Sequence, residues 1–329
     1  MDCNRPLPNV THCHNRPARG RAIGRLALSA MAALIAFTPV AQAQQSQNKG
    51  LPVLRDTEIE QLLRDYSVPI LRAAGLAKQN IQIVIINSSA FNAFVADGRR
   101  IFINSGALSQ SKTPNQVIGV LAHEAGHIAG GHLSKMREQM SRAQTQMIVA
   151  MLLGAGALAA GASSGSRGAG QAGMAAISAP QEVIRRTLLS YARQQEENAD
   201  RAGVKFLNAT GQSAKGMYET FRRFVDEGLF ASRGADPYVQ THPMAAERVA
   251  ALERIAQSSP NWNKADPPVL QHRHDMMRAK IAGFIQRPDA VRRLYPPSDQ
   301  SLPAQYARAI STYRHGDLRM AIAMIDTMI

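Results

Sequence analysis

Apolar residues recur at helical spacing along most of this chain, and the clearest stripe runs Val117, Val120, Leu121, Glu124, His127 and Ile128. Residues three and four apart share one face of an α-helix, so this spacing predicts a helix with ionisable groups on or beside its buried face. Thr113 suits its N-cap, Pro114 the first helical position and Gln116 the third, where the side chain can close a capping box. A second stripe, Leu189, Ala192, Glu196, Ala199, Gly203 and Phe206, sets a carboxylate among small and apolar positions. Two segments break from the helical period: Ile81–Ile86 and Arg100–Asn104 read as strands, flanking Asn92, Ala93, Phe94 and Val95 and the turn signal Asp97-Gly98. From 212 to 258 the pattern is again helical, with interruptions around 233–243, and the polar stretch 261–268 marks a loose domain boundary.

Other runs set the limits of the folded part. The apolar run Leu26–Val40 follows Arg16, Arg19, Arg21 and Arg25 and ends in Ala41-Gln42-Ala43, so residues 1–43 read as a secretory signal peptide cut before Gln44. Both cysteines, Cys3 and Cys13, fall inside it; the mature chain has no thiol, forms no disulfide and must bind metal through His and carboxylate. The formal charge of +14 falls when the leader is removed but leaves 33 basic against 23 acidic residues. Few aromatics and no nucleic-acid motif argue against nucleic acid and leave two readings of the charge, peripheral contact with an anionic membrane surface or outer-membrane component and a generally solvated basic surface. The apolar run 147–162 is shorter than the about 20 residues a spanning helix needs, and it leads into Gly/Ser-rich 163–173. Together, 147–173 read as a flexible or surface-associating insertion touching membrane or an unfolded client, with a buried helical hairpin packed through small residues as the competing account and an integral membrane peptidase anchored by 147–162 as a third. His272 and His274, two apart, read as surface residues. In 302–329, Ala309, Gly316 and Ala321 have the spacing of a tetratricopeptide unit turning at His315-Gly316-Asp317. One such unit cannot bury its own apolar face, so a longer tail is expected to follow.

The candidate chemistry lies at His123-Glu124-Ala125-Gly126-His127. Two histidines four apart on a helix can direct their rings at one ion, and a zinc held by three protein ligands keeps a position for water and lowers its pKa to about 7. Glu124 is placed to take that proton. Glu196 is the candidate third ligand, because an unpaired carboxylate on an apolar stripe is costly to bury and a metal resolves the conflict. Asp200, one turn on, can accept the free ring N–H of a zinc-bound histidine. The alternatives are a buried histidine held by a backbone carbonyl, and an exposed acidic face paired with Arg193 or Arg201.

His123-Glu124-x-x-His127 followed by Glu196-x-x-x-Asp200 resembles the zinc metallopeptidases that include the CAAX prenyl proteases and HtpX-like enzymes, and among them the periplasmic members with a tetratricopeptide tail. The resemblance runs from about Asp56 to the C-terminus. It implies one Zn2+ per chain on His123, His127 and Glu196, Glu124 as catalytic base and Asp200 as the acid behind the ligands. It also implies a substrate strand at Asn92, Ala93 and Phe94, with His242 as a gate and Arg248 as an aid to the scissile carbonyl or a bound carboxylate. The expected fold is α+β, mainly α: a zincin-type metallopeptidase domain over 44–262 with a small mixed sheet, then a helical linker and the start of a repeat tail over 263–329. The active-site helix should lie against the sheet and the Glu196 helix should cross it. The implied activity is periplasmic hydrolysis of internal peptide bonds in unfolded or misassembled outer-membrane proteins. Outer-membrane assembly machinery is an implied partner of the tail, and a chaperone or assembly adaptor with a latent peptidase domain is the alternative.

Overall fold

The computed structural model describes residues 51–164, 167–228 and 237–328, so the expected signal peptide lies outside the described residues. The chain enters through β1 (Val53–Leu54) and α1 (Thr57–Ala73), whose N-cap Asp56 accepts a hydrogen bond from the Ile59 N–H. Then come β2 (Gln82–Ile86), β3 (Ala93–Val95) and β4 (Arg100–Asn104). The sheet order is β1-β2-β4-β3, with β2 parallel to β4 and the outer pairs antiparallel. This is the small mixed sheet, and β3 is one of its edges. Asp97 folds the β3–β4 connection by accepting from the Arg99 and Arg100 N–H groups, while Gly98 takes φ +76°.

After the short α2 (Ser105–Gln110), α3 (Pro114–Ala129) carries the histidine motif through the middle of the domain. The Thr113 Oγ1 accepts from the Gln116 N–H at 3.4 Å. The Gln116 side chain, however, accepts from the Lys112 N–H at 2.7 Å, one residue before the expected capping-box donor. Residues 117–126 of α3 are all buried, because the sheet and α1 cover one side and two later helices cover the other. Those helices are α5 (Arg167–Ala209) and α6 (Lys215–Gly228). Glycines let them close in: a Cβ on Gly126 would stand 2.8 Å from the Ala199 carbonyl oxygen, and one on Gly119 would stand 2.6 Å from the Met217 Cβ. The Glu196 helix thus lies on the face of α3 away from the sheet.

Between the motif helix and α5 runs α4 (His132–Ser164), which packs along α5. The expected flexible insertion at 147–173 is instead helical throughout its described residues, and the hairpin is exposed along most of its length rather than buried. Ala and Gly suggest a loop by composition, yet Ala favours helix, and Gly154 and Gly173 sit where the two helices touch.

The chain closes with α7 (Pro237–Thr241), α8 (Ala246–Gln257), α9 (Pro268–Ile285), α10 (Pro288–Leu294), α11 (Leu302–Arg314) and α12 (Leu318–Asp326). The break at 261–268 does not interrupt packing: Met277 and Ile281 of α9 join the main core. His274 is fully buried, contrary to the surface reading; it meets the Tyr66 hydroxyl at 3.1 Å and the Ser111 carbonyl at 2.9 Å. Its i+2 offset from His272 puts the two on different helix faces, so one can be exposed and the other interior. Gly316, at φ +97°, turns α11 into α12, and the Asp317 side chain caps α12.

Candidate metal centre

One turn of α3 and one turn of α5 face each other across the Gly126–Ala199 contact, bringing two histidines against two carboxylates. The His123 and His127 Nε2 atoms are 3.0 Å apart, and each is 3.4 Å from a Glu196 oxygen. His242, just after α7, adds its Nδ1 at 3.3 Å from the His123 Nε2 and 3.1 Å from the Glu196 Oε2. These four side chains can offer one ligand atom each within 4.8 Å of one another. Tetrahedral zinc with Zn–N of about 2.0–2.1 Å places its ligand atoms about 3.3 Å apart, so the spacing fits such an ion. The donor chemistry agrees, since imidazole and carboxylate are the ligands available to a thiol-free site.

Glu124 is fully buried beside the cluster, and neither carboxylate oxygen takes a hydrogen bond. Its Oε1 lies 3.5 Å from the His242 Nε2. Burial pushes its carboxyl above the usual range. Asp200 holds the far side of the His123 ring, Oδ1 to Nδ1 at 3.0 Å. Burial works against a charged His123, but Asp200 and Glu196 outweigh it and push the imidazole up to about 9 in the absence of an ion. His127 moves the opposite way, well down, through burial and the neighbouring His123. Desolvation opposes charge on Glu196 too, yet His123 and His242 hold it well below the usual carboxylate range.

Arg248 does not face the cleft. Its Nε and Nη2 donate to the two Asp200 oxygens at 2.7 and 2.8 Å, and its Nη1 stands 2.9 Å from the Glu196 Oε2 and donates to the Pro243 carbonyl. The guanidinium is 5% exposed and lies over the Phe221 ring. Every donor nitrogen is engaged on carboxylates or backbone, so in this arrangement the arginine fixes the acids.

The strand residues form one wall of a cleft of about 510 Å³, lined by Phe94, Val95, Glu124, His127, Glu196 and His242 among others. The Ala93 carbonyl lies 3.2 Å from the His242 Nε2, and the Asn92 side chain accepts from the Thr241 hydroxyl at 3.5 Å. Phe94 stacks on Phe102 of β4, ring centres 5.2 Å apart. The structure therefore gathers all ten sequence candidates, His123, Glu124, His127, Glu196, Asp200, His242, Arg248, Asn92, Ala93 and Phe94, in or around one site.

Sequence reasoning missed His132. Gly131, at φ +62°, turns the chain after α3 so that the His132 Nδ1 comes 3.0 Å from the His127 Nδ1. With His127 Nε2 toward the ion, its Nδ1–H can donate to His132, the counterpart of Asp200 on His123. Two adjacent glycines just after His127 were the available signal. Tyr238 was missed as well: buried in α7 between Phe224 and His242, it anchors the loop that delivers His242.

Residues 53–256 match the family description of peptidase family M48. The chain is 27% identical to the β-barrel assembly-enhancing protease of Escherichia coli K12 over 229 residues, 70% of this chain and 44% of that protein. It is 28% identical over 210 residues to a putative β-barrel assembly-enhancing protease of Vibrio cholerae, covering 64% of this chain and 42% of the relative. The Yersinia pestis protease of the same name is 22% identical over 80% of this chain and 53% of its own length. The chain thus spans about half the length of the curated relatives it matches. With the family description covering most of the chain, and its metal-dependent chemistry matched by the His/Glu cluster, the chain belongs to peptidase family M48.

Proposed function

We propose that this protein is a zinc-dependent endopeptidase of the bacterial periplasm that degrades misfolded or stalled outer-membrane proteins and assists their assembly. The observation that carries the reading is the convergence of His123, His127 and Glu196 at ligand spacing, with the buried, unbonded Glu124 carboxylate beside them. The names of the relatives support the substrate class, and the secretory pattern in residues 1–43 supports the compartment.

His123, His127 and Glu196 would hold zinc, which when bound supplies an ionised water and a polarised carbonyl at neutral pH. Glu124 takes the water proton and passes it to the leaving amine; burial raises its affinity for that proton, which suits a group that must also give it up as an acid. Asp200, 3.0 Å from the His123 Nδ1, and His132, 3.0 Å from the His127 Nδ1, are placed to orient both rings and leave both Nε2 atoms for the metal. Arg248 keeps Asp200 ionised. Among the described residues no further strand pairs with the outer edge of β3, where an extended peptide would add, a mode that reads backbone more than side chains.

His242 fills the fourth position of the cluster and uses the Ala93 carbonyl that an incoming strand would need. Peptide docking and departure of His242 are one competition, and the site rests closed until a client arrives. This closed arrangement also favours a second reading, a chaperone or assembly adaptor whose peptidase is latent. The helical pair α11–α12 is read as the first unit of a tetratricopeptide tail that contacts assembly machinery.

The test is Glu124→Gln, assayed for zinc content and for cleavage of an unfolded outer-membrane protein. Zinc should stay at one per chain while cleavage falls by roughly 10²–10⁴-fold. Cleavage at the wild-type rate would overturn the assignment. In cells, phenotype loss on removing α11–α12 but not on Glu124→Gln would favour the adaptor.

A further inference from the structure

The outer part of the α4–α5 hairpin is built inside-out for a pair of helices in water. The contact between the helices is made by small residues: Ala150, Gly154 and Gly161 on α4 are buried, and a Cβ on Gly173 of α5 would stand 2.7 Å from the Leu158 Cγ and 3.1 Å from the Gly154 carbonyl oxygen. Leu158 enters the contact, but most of the large apolar side chains of α4 point away. Leu152 and Leu153 are 69% and 67% exposed, and Ile148, Val149, Met151 and Met174 are exposed as well. A soluble helical hairpin buries its large apolar side chains, whereas helices in lipid pack through small residues and turn the large ones outward.

Charge and length agree with this. Between Arg142 and Glu182 the sequence holds a single charged residue, Arg167, at the start of α5. The apolar run 147–162, which contains no polar residue, extends about 24 Å at 1.5 Å per residue, close to a thin bilayer's hydrocarbon core. Below it stand Lys135, Arg137, Arg142, Arg185 and Arg186 against Glu138 and Glu182, an excess of positive charge at headgroup level.

We infer that the α4–α5 hairpin inserts into a glycerophospholipid bilayer, with the run 147–162 in the hydrocarbon and the basic base at the near headgroups. A protein partner would cover one side of α4; the exposed apolar residues instead occupy the whole arc left free by α5, which suits a surrounding solvent of lipid. Leu133, Met136, Arg137 and Ala192 at the base of the hairpin line the cleft, so insertion holds the mouth of the site at the membrane surface. This inference does not rest on the peptidase reading.

The test mixes the protein with phosphatidylethanolamine–phosphatidylglycerol vesicles and follows flotation before and after alkaline carbonate. A Leu152→Trp variant is added to vesicles of brominated lipid, with wild type, which carries only Trp262, as the background. The expected result is carbonate-resistant flotation and bromine quenching of the added indole. Leu152→Glu/Leu153→Glu should cut partitioning by roughly a hundredfold or more, while far-UV dichroism and solution cleavage stay unchanged. Protein left in the soluble fraction, release by carbonate, or an unquenched indole overturns the inference. Concentration-dependent dimerisation that shields the same indole without lipid also overturns it and assigns the face to a second copy.

Discussion

Helix α5 passes through two different surroundings. Over 196–207 it lies against α3, with Glu196, Ala199, Asp200 and Leu207 buried; over 168–189 it lies against α4, with Met174, Val183 and Leu189 exposed. Both contacts are close because a glycine stands in each, Gly126 against Ala199 in one and Gly173 against Gly154 and Leu158 in the other. They differ in what points away from the contact. Near α3 the adjoining positions are acids, and closeness brings them onto two histidines and an arginine at the buried floor of the cleft. Farther out, between Arg167 and Glu182, the sequence carries no charge and Met174 is exposed, so the same packing presents an apolar surface. Small residues set the distance between helices, and the neighbours of those residues decide the use made of it.

If the inner half depends on cross-linked buried charge, removing one member should be the most damaging single change. Arg248→Met leaves Asp200 without its bidentate partner in a buried site and should cost about 3–5 kcal/mol in urea unfolding, with loss of zinc. A loss under 1 kcal/mol would mean that water reaches Asp200 and that the two halves differ less than described.

Next in size is a pH effect elsewhere in the folded core. Burial pushes His274 down to about 4 from 6.5, so the fold holds it neutral. As pH falls below 6.5 the unfolded chain takes up a proton that the folded chain refuses until about 4; stability is lost across that window, by about 3 kcal/mol. His274→Asn should flatten this part of the pH dependence. Parallel pH slopes for the variant and the wild type would refute it.

A smaller effect is expected at the rim of the metal centre. His132→Ala should weaken zinc binding by roughly 10–100-fold in chelator competition, and His132→Asn, which can still accept from the His127 N–H, should recover part of that affinity. Equal affinities in all three proteins would reduce His132 to packing. The smallest effect belongs to the outer half, where Leu153→Ser should change the stability of the protein in solution by less than about 0.5 kcal/mol. A larger loss would show that the exposed leucines serve the fold.

Much of the inner half was legible because its signals are local. The i, i+4 histidines, the Thr113 cap, the β4 strand and the Glu196 stripe each depend on residues within two helical turns or one strand, where spacing fixes the shared face. The structure had to supply what depends on chain segments far apart. Arg248 could be named from sequence but not aimed; Asp200 and Glu196, roughly fifty positions earlier, capture it. His274 reads as surface until Tyr66 and Ser111 close around it. Residues 147–173 read as an insertion because composition cannot say which side of an apolar helix a neighbour will cover.

By itself the sequence determined the reactive groups, their spacing along the motif helix and the absence of any thiol in the expected mature chain, since covalent order and helical period settle these. Only the tertiary structure decided that His242 joins His123, His127 and Glu196, that His132 stands against His127 and that the aliphatic face of the hairpin stays outside. Those outcomes depend on which surfaces meet when the chain excludes water, and no local repeat encodes that choice.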